Sequence, residues 1–318
     1  MDRNRTEGEV LMSDIGFLDG GLGQEINSRA VQENSHPLWS VKVMFDAPEI
    51  VVGVHKDFIT AGAQVITVNN YTATPTRLNR HGYGDKFLVA HQLAIDLVLR
   101  AIAEAQAEQG KKYDVNIAGC LPPLAASYVA SAALNYQQSY DQYCQLIEVQ
   151  AGHVDLFLVE TISNITEARA AIAALKAAGQ KSFIGLTLSD DLSNSLRSGE
   201  SLARAIDILG AEGIDGLCVN CSFPEAIDAA MPLLAASGLR FGGYANGFTS
   251  IAGLAPGTTV DNLQARRDLS PAVYARYALG WAEAGASIIG GCCEIGPAHI
   301  AFLHDALCTA GYRPGKLV

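Results

Sequence analysis

Three cysteines carry the strongest chemical signal in this 318-residue sequence. Cys221 closes the apolar stretch Gly216-Leu217-Cys218-Val219-Asn220-Cys221, and Cys292-Cys293 close a second, Ala286-Ser287-Ile288-Ile289-Gly290-Gly291-Cys292-Cys293. Both stretches read as buried strands. Thiols at the ends of two strands offer three soft ligands to a zinc ion. The fourth position then stays open for a substrate sulfur or water, as in a catalytic rather than a structural site. Neighbours on a regular strand face opposite ways. Cys292 and Cys293 can therefore reach one ion only if the strand ends or bulges there, which Gly290-Gly291 permits. Without metal, three vicinal thiols are prone to oxidation, and a Cys292–Cys293 or Cys221-containing disulfide can replace the site. Cys144, Cys218 and Cys308 read as small buried hydrophobes. The Cys218-x-x-Cys221 spacing is not read as a redox pair, because Cys218 lies within a strand and alternation turns it away from Cys221.

The elements that must hold these residues are legible as an alternation. Short apolar runs at Ile15–Asp19, Val65–Asn70, Val115–Cys120, Leu156–Glu160, Phe183–Leu188, Gly216–Cys221, Arg240–Asn246 and Ala286–Cys293 read as strands. Helical spacing lies between them. Pro48–Ala61 puts Ile50, Val51, Val54 and Phe58 on one face with Gly62 just past its end; Ile165–Ala178 closes on Gly179 and Pro271–Ala284 on Gly285. Apolar strands alternating with helices imply a parallel sheet with covered faces. Eight such units predict an α/β protein with a single closed (β/α)8 TIM barrel, with a doubly wound open sheet as the alternative. No linker composition divides the chain, which reads as a flexible N-terminus over residues 1–13 and one barrel domain over residues 14–318. The long non-periodic stretches Gly20–Pro37, Ser189–Glu200 and Gly247–Leu269 all follow strands, where a barrel carries its functional loops.

In a barrel the active site lies at the C-terminal ends of the strands, and polar residues gather there. Strand one ends in Asp19 before Gly20-Gly21, strand two in Asn69-Asn70-Tyr71, strand three in Cys120, strand four in Glu160-Thr161, strand six in Asn220-Cys221, strand seven in Asn246 and strand eight in Cys292-Cys293. Asp19 and Glu160 can be a turn residue and a helix cap, or a pair of carboxylates that binds an ammonium group. Tyr71 can pack, or face a methylated cation. The seven histidines form no His-x-His or His-Glu-x-x-His pattern, so hydrolytic zinc chemistry of the common kinds is unsupported. Gly20-Gly21-Leu22-Gly23 does not match a dinucleotide fingerprint, and no phosphate loop is present. A net charge of −11 with no basic cluster denser than Arg266-Arg267 argues against nucleic acid. The sequence shows neither a signal peptide nor an apolar run of membrane-spanning length. The seven cysteines are accordingly expected to be reduced, in the cytoplasm.

From about Asp14 to Leu307 the chain resembles the homocysteine S-methyltransferase family. The signatures are Leu18-Asp19-Gly20-Gly21, Asn70-Tyr71-Thr72-Ala73-Thr74, Glu160-Thr161, Val219-Asn220-Cys221 and Gly290-Gly291-Cys292-Cys293. The resemblance implies a Zn2+-dependent (β/α)8 barrel that methylates homocysteine to methionine. It assigns Cys221, Cys292 and Cys293 as metal ligands and Asp19 and Glu160 as amino-acid-binding carboxylates, with Tyr71 in the active site. Asn220 joins the substrate-binding set, and backbone N–H groups of Gly20 and Gly21 are expected to take the substrate carboxylate. One segment departs from the pattern: after strand three the chain reads Gly119-Cys120-Leu121-Pro122-Pro123-Leu124, where many relatives have a Gly-Ser-x-Gly-Pro type of segment. Cys120 is expected to border the donor pocket, as an inert wall residue first, with a redox-sensitive spot or a part in donor recognition as the alternatives.

The implied substrates are homocysteine and a methylated onium donor, S-methylmethionine first, S-adenosylmethionine second, then betaine. Two other readings stay open: a methyltransferase for another thiol or selenol such as selenocysteine, and a non-catalytic zinc or thiol-binding protein. A homo-oligomer also stays open, because Gly247–Leu269 is long enough to form a lid or a subunit contact.

Overall fold

The computed structural model describes residues 14–30, 36–251, 254 and 263–318. The flexible segment expected over residues 1–13 lies outside the described residues, as do residues 252–253 and 255–262 of the expected lid or contact loop.

Eight parallel strands follow one another around a barrel: β1 (Asp14–Phe17), β2 (Val65–Thr67), β3 (Asn116–Leu121), β4 (Leu156–Ile162), β5 (Ser182–Leu186), β6 (Gly216–Asn220), β7 (Phe241–Tyr244) and β8 (Ile288–Ile289). Pairing runs in sequence order from β2 to β8 and returns to β1 through Gly16↔Ile288 and Phe17↔Ile289. A parallel bridge Leu18↔Val65, with Gln64 N–H donating to Phe17 O at 2.9 Å, closes β1 onto β2. A doubly wound sheet would reverse its strand order and keep two open edges. Neither occurs, and the (β/α)8 reading holds.

The outer ring consists of α3 (Pro48–Thr60), α5 (Phe87–Gln109), α6 (Tyr136–Glu148), α7 (Ile165–Ala177), α8 (Leu202–Ala211), α9 (Pro224–Ala236), α10 (Pro271–Glu283) and α11 (Pro297–Thr309). Val51, Val54 and Phe58 are fully buried on the predicted face of α3. The Asn164 side chain caps α7 by accepting from Glu167 N–H at 2.8 Å, and Pro271 opens α10 at a position where the missing N–H is no loss. Gly179 (φ 65°) and Gly285 (φ 99°) follow α7 and α10 in left-handed conformations that other residues adopt at a cost. Three short helices are inserted after the first two strands: α1 (Leu22–Arg29), α2 (Trp39–Asp46) and α4 (Pro75–Arg80). The stretch Gly20–Pro37, read as a loop, thus contains α1. Its polar run Gly23-Gln24-Glu25 masks a two-residue anchor, Leu22 and Ile26.

The strands are shorter than the apolar runs that encode them. Ala286–Cys293 reads as one strand, yet only Ile288–Ile289 are in the ladder, and Gly216–Cys221 stops at Asn220. The three cysteines therefore sit in the irregular backbone just beyond β6 and β8. A ninth strand, β9 (Arg313–Gly315), pairs with β1 through Asp14↔Arg313 and Gly16↔Gly315. Its Arg-Pro-Gly sequence carries no strand pattern, since proline and glycine are poor strand residues. β9 delivers Leu317 into the barrel interior, where it packs with Leu18, Val65, Phe183, Cys218 and Ile288. The floor is held by Asn116 Oδ1, which accepts from the N–H groups of Leu317 and Val318 at 2.9 and 3.0 Å, and by Arg240, which donates to Leu317 O at 3.0 Å.

Leu317→Ala is expected to destabilise the fold by about 2–5 kcal/mol, the range for a buried leucine truncated in a core, measured by equilibrium denaturation. A change within about 0.5 kcal/mol, as at a surface position, would place this tail outside the core.

Candidate active site

Cys221 follows β6 with φ 46°. The left-handed region costs a non-glycine residue about 1–2 kcal/mol and persists where the surroundings over-determine it. Here the Cys221 N–H donates to Tyr244 O at 3.0 Å. Its carbonyl accepts from Asn246 Nδ2 at 2.8 Å and Thr187 Oγ1 at 3.2 Å. This turn aims the thiol across the barrel mouth. Beyond β8, Gly291 N–H donates to Asp19 O at 2.8 Å, Cys292 N–H to Ala245 O at 2.9 Å, and Cys293 O accepts from Gly247 N–H at 2.9 Å. The Cys292-Cys293 turn is thereby pinned to the ends of β1 and β7.

The three sulfurs lie within 4.8 Å of one another. Cys221 and Cys292 are joined as a disulfide with Cα atoms 5.5 Å apart, and Cys221 Sγ stands 3.6 Å from Cys293 Sγ. A tetrahedral ion with sulfurs at about 2.3 Å places them about 3.8 Å apart, near the spacing of Cys221 and Cys293; reduction must part Cys221 and Cys292 to reach it. Among the described residues this is the one group of three with metal-ligand spacing. Burial pushes the free Cys293 thiol up to about 11 and Cys218, in the barrel interior, up to about 12.

The thiols share a cavity of about 100 Å³ with Asp19, Glu160, Tyr71 and Cys120. Asp19 accepts from Thr67 N–H at 2.8 Å and Thr67 Oγ1 at 3.2 Å. Burial raises its carboxyl to about 8; the Thr67 N–H opposes the rise, and the Glu160 charge adds to it. Glu160 is raised by burial to about 7, opposed by hydrogen bonds from Cys120 and Tyr244. Both carboxylates face one small space, and no cation is among the groups acting on them. An ammonium group entering there would restore both charges.

Tyr71 lines the cavity, its hydroxyl 2.9 Å from Ser127 Oγ and the Arg77 guanidinium 5.6 Å from its ring centre. Gly20 and Gly21 also line the cavity, but the Gly21 N–H donates to Ile295 O at 2.8 Å. That donor is engaged within the protein and is not free for a substrate carboxylate. Asn220 is fully buried beneath the cavity. Its Oδ1 accepts from Thr161 N–H at 2.8 Å and its Nδ2 donates to Thr161 Oγ1 at 3.1 Å. Its amide therefore positions the left-handed Thr161 (φ 60°) instead of meeting substrate. Cys120 donates to Glu160 Oε2 at 3.1 Å. Burial and the Glu160 charge push its thiol well up, so it is a protonated wall residue beside the carboxylate pair.

Two residues escape the sequence reading. Tyr244, buried at the end of β7, hydrogen-bonds Glu160; counting inward-facing positions along that strand would have found it. Tyr128 has no such signal: it lies in irregular backbone at φ 64°, and its hydroxyl donates to Cys221 Sγ at 2.9 Å.

The family model described as homocysteine S-methyltransferase matches residues 17–307. Homocysteine S-methyltransferase of Escherichia coli (strain K12) is 28% identical over 312 residues, covering 91% of this chain and 94% of that protein. Selenocysteine methyltransferase of Astragalus bisulcatus is 26% identical over 329 residues, covering 93% of each. The crystal structure of the homocysteine methyltransferase MmuM from Escherichia coli in its metallated form matches with a TM-score of 0.77 at 26% identity, over 92% of this chain and 96% of that one. With its barrel, its three-thiol cluster and a match over nearly the whole chain, the protein belongs to the homocysteine S-methyltransferase family and is a thiol methyltransferase.

Proposed function

We propose that this enzyme moves a methyl group from a small sulfonium donor, S-methylmethionine first and S-adenosylmethionine second, to the thiolate of homocysteine, giving methionine. The observation that carries this reading is the placement of three thiols and two buried carboxylates on one cavity. Reduced Cys221, Cys292 and Cys293 would hold Zn2+, which lowers the pKa of a bound substrate thiol so that it stays a thiolate at neutral pH. Asp19 and Glu160 hold the substrate ammonium, and Tyr71 presents its ring to the methylated cation. Tyr128 donates its hydroxyl to the Cys221 sulfur and holds that ligand in place.

In the transfer, the methyl–sulfur bond of the donor breaks and its electron pair stays on the donor sulfur, leaving a neutral thioether. The thiolate pair forms the new carbon–sulfur bond. No proton moves in this step, so the side chains contribute alignment and exclusion of water, which can supply a large part of the rate. The reduced thiols this requires are those of a cytoplasmic protein. Selenocysteine is the second acceptor, favoured by the similarity to the Astragalus bisulcatus enzyme; it presents the same amino-acid end to Asp19 and Glu160.

Zinc-loaded, reduced protein is expected to form methionine from homocysteine with S-methylmethionine. Cys221→Ala is expected to lose both stoichiometric zinc and turnover. Metal retention with full activity in that variant would remove Cys221 from the ligand set.

The carboxylates set the pH dependence. A protonated carboxyl cannot pair with an ammonium, so kcat/KM for homocysteine is expected to climb as pH rises through the values of about 7 and 8 held by Glu160 and Asp19. Stability runs the other way. Between the unfolded value of 3.8 and the folded value of about 8 for Asp19, the folded state holds a proton that the unfolded state has lost, so stability falls as pH rises across that window. Asp19→Asn is expected to flatten this fall in thermal melts of the ligand-free protein while impairing homocysteine binding. An unchanged slope would show that Asp19 titrates alike in the folded and unfolded chain.

A further inference from the structure

We propose that the cleft behind Tyr128 is the head-group subsite of the methyl donor, where Arg197 and Asp190 receive the carboxylate and ammonium of an α-amino acid. The proposal rests on the methyl-transfer reading above and specifies which donors that site accepts. The cleft is open, about 690 Å³, and bordered by Tyr128, Val129, Ser131, Asp190, Arg197 and Ser198. Tyr128 is the wall it shares with the thiol cavity. On one side its hydroxyl meets Cys221 Sγ at 2.9 Å; on the other, the Arg197 guanidinium stands 5.1 Å from its ring centre. One aromatic ring thus separates the sulfur cluster from a nearly buried arginine.

Arg197 is held at the edge of the cleft by two polar partners. Its side chain is 10% exposed; Nη2 donates to Asp190 Oδ1 at 2.9 Å and Nε to Thr187 Oγ1 at 3.1 Å. The same Thr187 hydroxyl donates to the Cys221 carbonyl, so the arginine and the thiol are referenced to one atom. These bonds engage two of the five guanidinium N–H donors, leaving a fork whose geometry suits a carboxylate. Asp190, 28% exposed beside it, is the matching partner for an ammonium. The acceptor's ammonium is already received by Asp19 and Glu160 in the other cavity, so Asp190 is left to the donor. In-line transfer places the donor sulfur opposite the thiolate across the methyl carbon. S-methylmethionine and S-adenosylmethionine carry both head groups; betaine carries the carboxylate but no N–H to give Asp190.

The test is steady-state kinetics of the zinc-loaded, reduced protein with three donors: S-methylmethionine, dimethylsulfoniopropionate (carboxylate without ammonium) and trimethylsulfonium (neither). Arg197→Gln is expected to raise KM for S-methylmethionine about 10- to 100-fold, the range for losing charge-assisted hydrogen bonds, with trimethylsulfonium and homocysteine kinetics unchanged. Asp190→Asn should weaken S-methylmethionine and spare dimethylsulfoniopropionate. A uniform loss across all donors, or a lowered melting temperature with unchanged donor KM, would make the pair a structural clasp and overturn the proposal. Calorimetric titration of S-methylmethionine into zinc-loaded Asp19→Asn/Glu160→Gln protein, with and without Arg197→Gln, supplies a readout independent of turnover. Arg197-dependent binding, with no methyl transfer by the unmutated protein to homocysteine, would sustain the subsite and sink the reaction. Turnover with an unaltered donor KM in Arg197→Gln would sustain the reaction and sink the subsite.

Discussion

The contact between two glycine-bearing loops sets the dimensions of the whole site. Gly20-Gly21 after β1 lies directly on the backbone that follows β8: a Cβ at Gly21 would come within 2.7 Å of Cys292 O, and one at Gly290 within 3.0 Å of Asp19 O. Reciprocal hydrogen bonds, Gly21 N–H to Ile295 O and Gly291 N–H to Asp19 O, both 2.8 Å, fasten the loops together. At Gly21 every facing atom is backbone, and at Gly290 the Leu18 Cβ stands nearest with Asp19 O behind it, so little can yield between the strand-one carboxylate and the cysteine turn. A β-carbon at either place would have to push the loops apart, and the sulfur spacing would open with them. The left-handed Cys221, anchored from Thr187, Tyr244 and Asn246, meets that turn from β6, two strands along the barrel from β8.

Within this frame the electrostatics are incomplete. Asp19 and Glu160 are buried side chains with donors around them but no positive charge. Isolated ionised carboxylates are costly to bury, and that cost lifts the two carboxyls to about 7 and about 8 in the ligand-free protein. A substrate bringing its own ammonium replaces their protons, and recognition is thereby coupled to proton release. The thiols follow a similar logic. Burial raises the cost of ionising Cys293, opposed in part by hydrogen bonds from Gln24 and Tyr128, while Cys221 and Cys292 are joined as a disulfide.

The eightfold alternation was legible because buried parallel strands are continuous apolar runs, and helix stops such as Gly179 and Gly285 carry a conformational signature. The cysteines, Asp19 and Glu160 were legible because apolar runs ending in thiols and carboxylates are hard to explain by packing. Strand ends were not. Hydropathy reports burial, and Gly290 and Gly291 are buried without belonging to the ladder. Asn220 shows the same limit: its place at a strand end was legible, but only the hydrogen bonds to Thr161 reveal that its amide reaches β4, two strands away. Tyr128, Arg197 and Asp190 come from irregular segments without periodicity, and their convergence depends on loop paths that no local pattern encodes. β9 was invisible because pairing with β1, not its own residues, makes it a strand.

The floor plug carries a consequence for how the molecule is made. Leu317 fills the base of the barrel from a segment that pairs with the strand at Asp14, so nearly three hundred residues separate the two partners in the chain. During synthesis β1 emerges first and waits with an unpaired edge until β8 and then Leu317 have left the ribosome. The thiol cluster is assembled last as well, since Cys292 and Cys293 arrive only with β8. A nascent chain arrested earlier would expose the apolar interior and a sheet edge at once, the combination that draws chaperones and promotes aggregation.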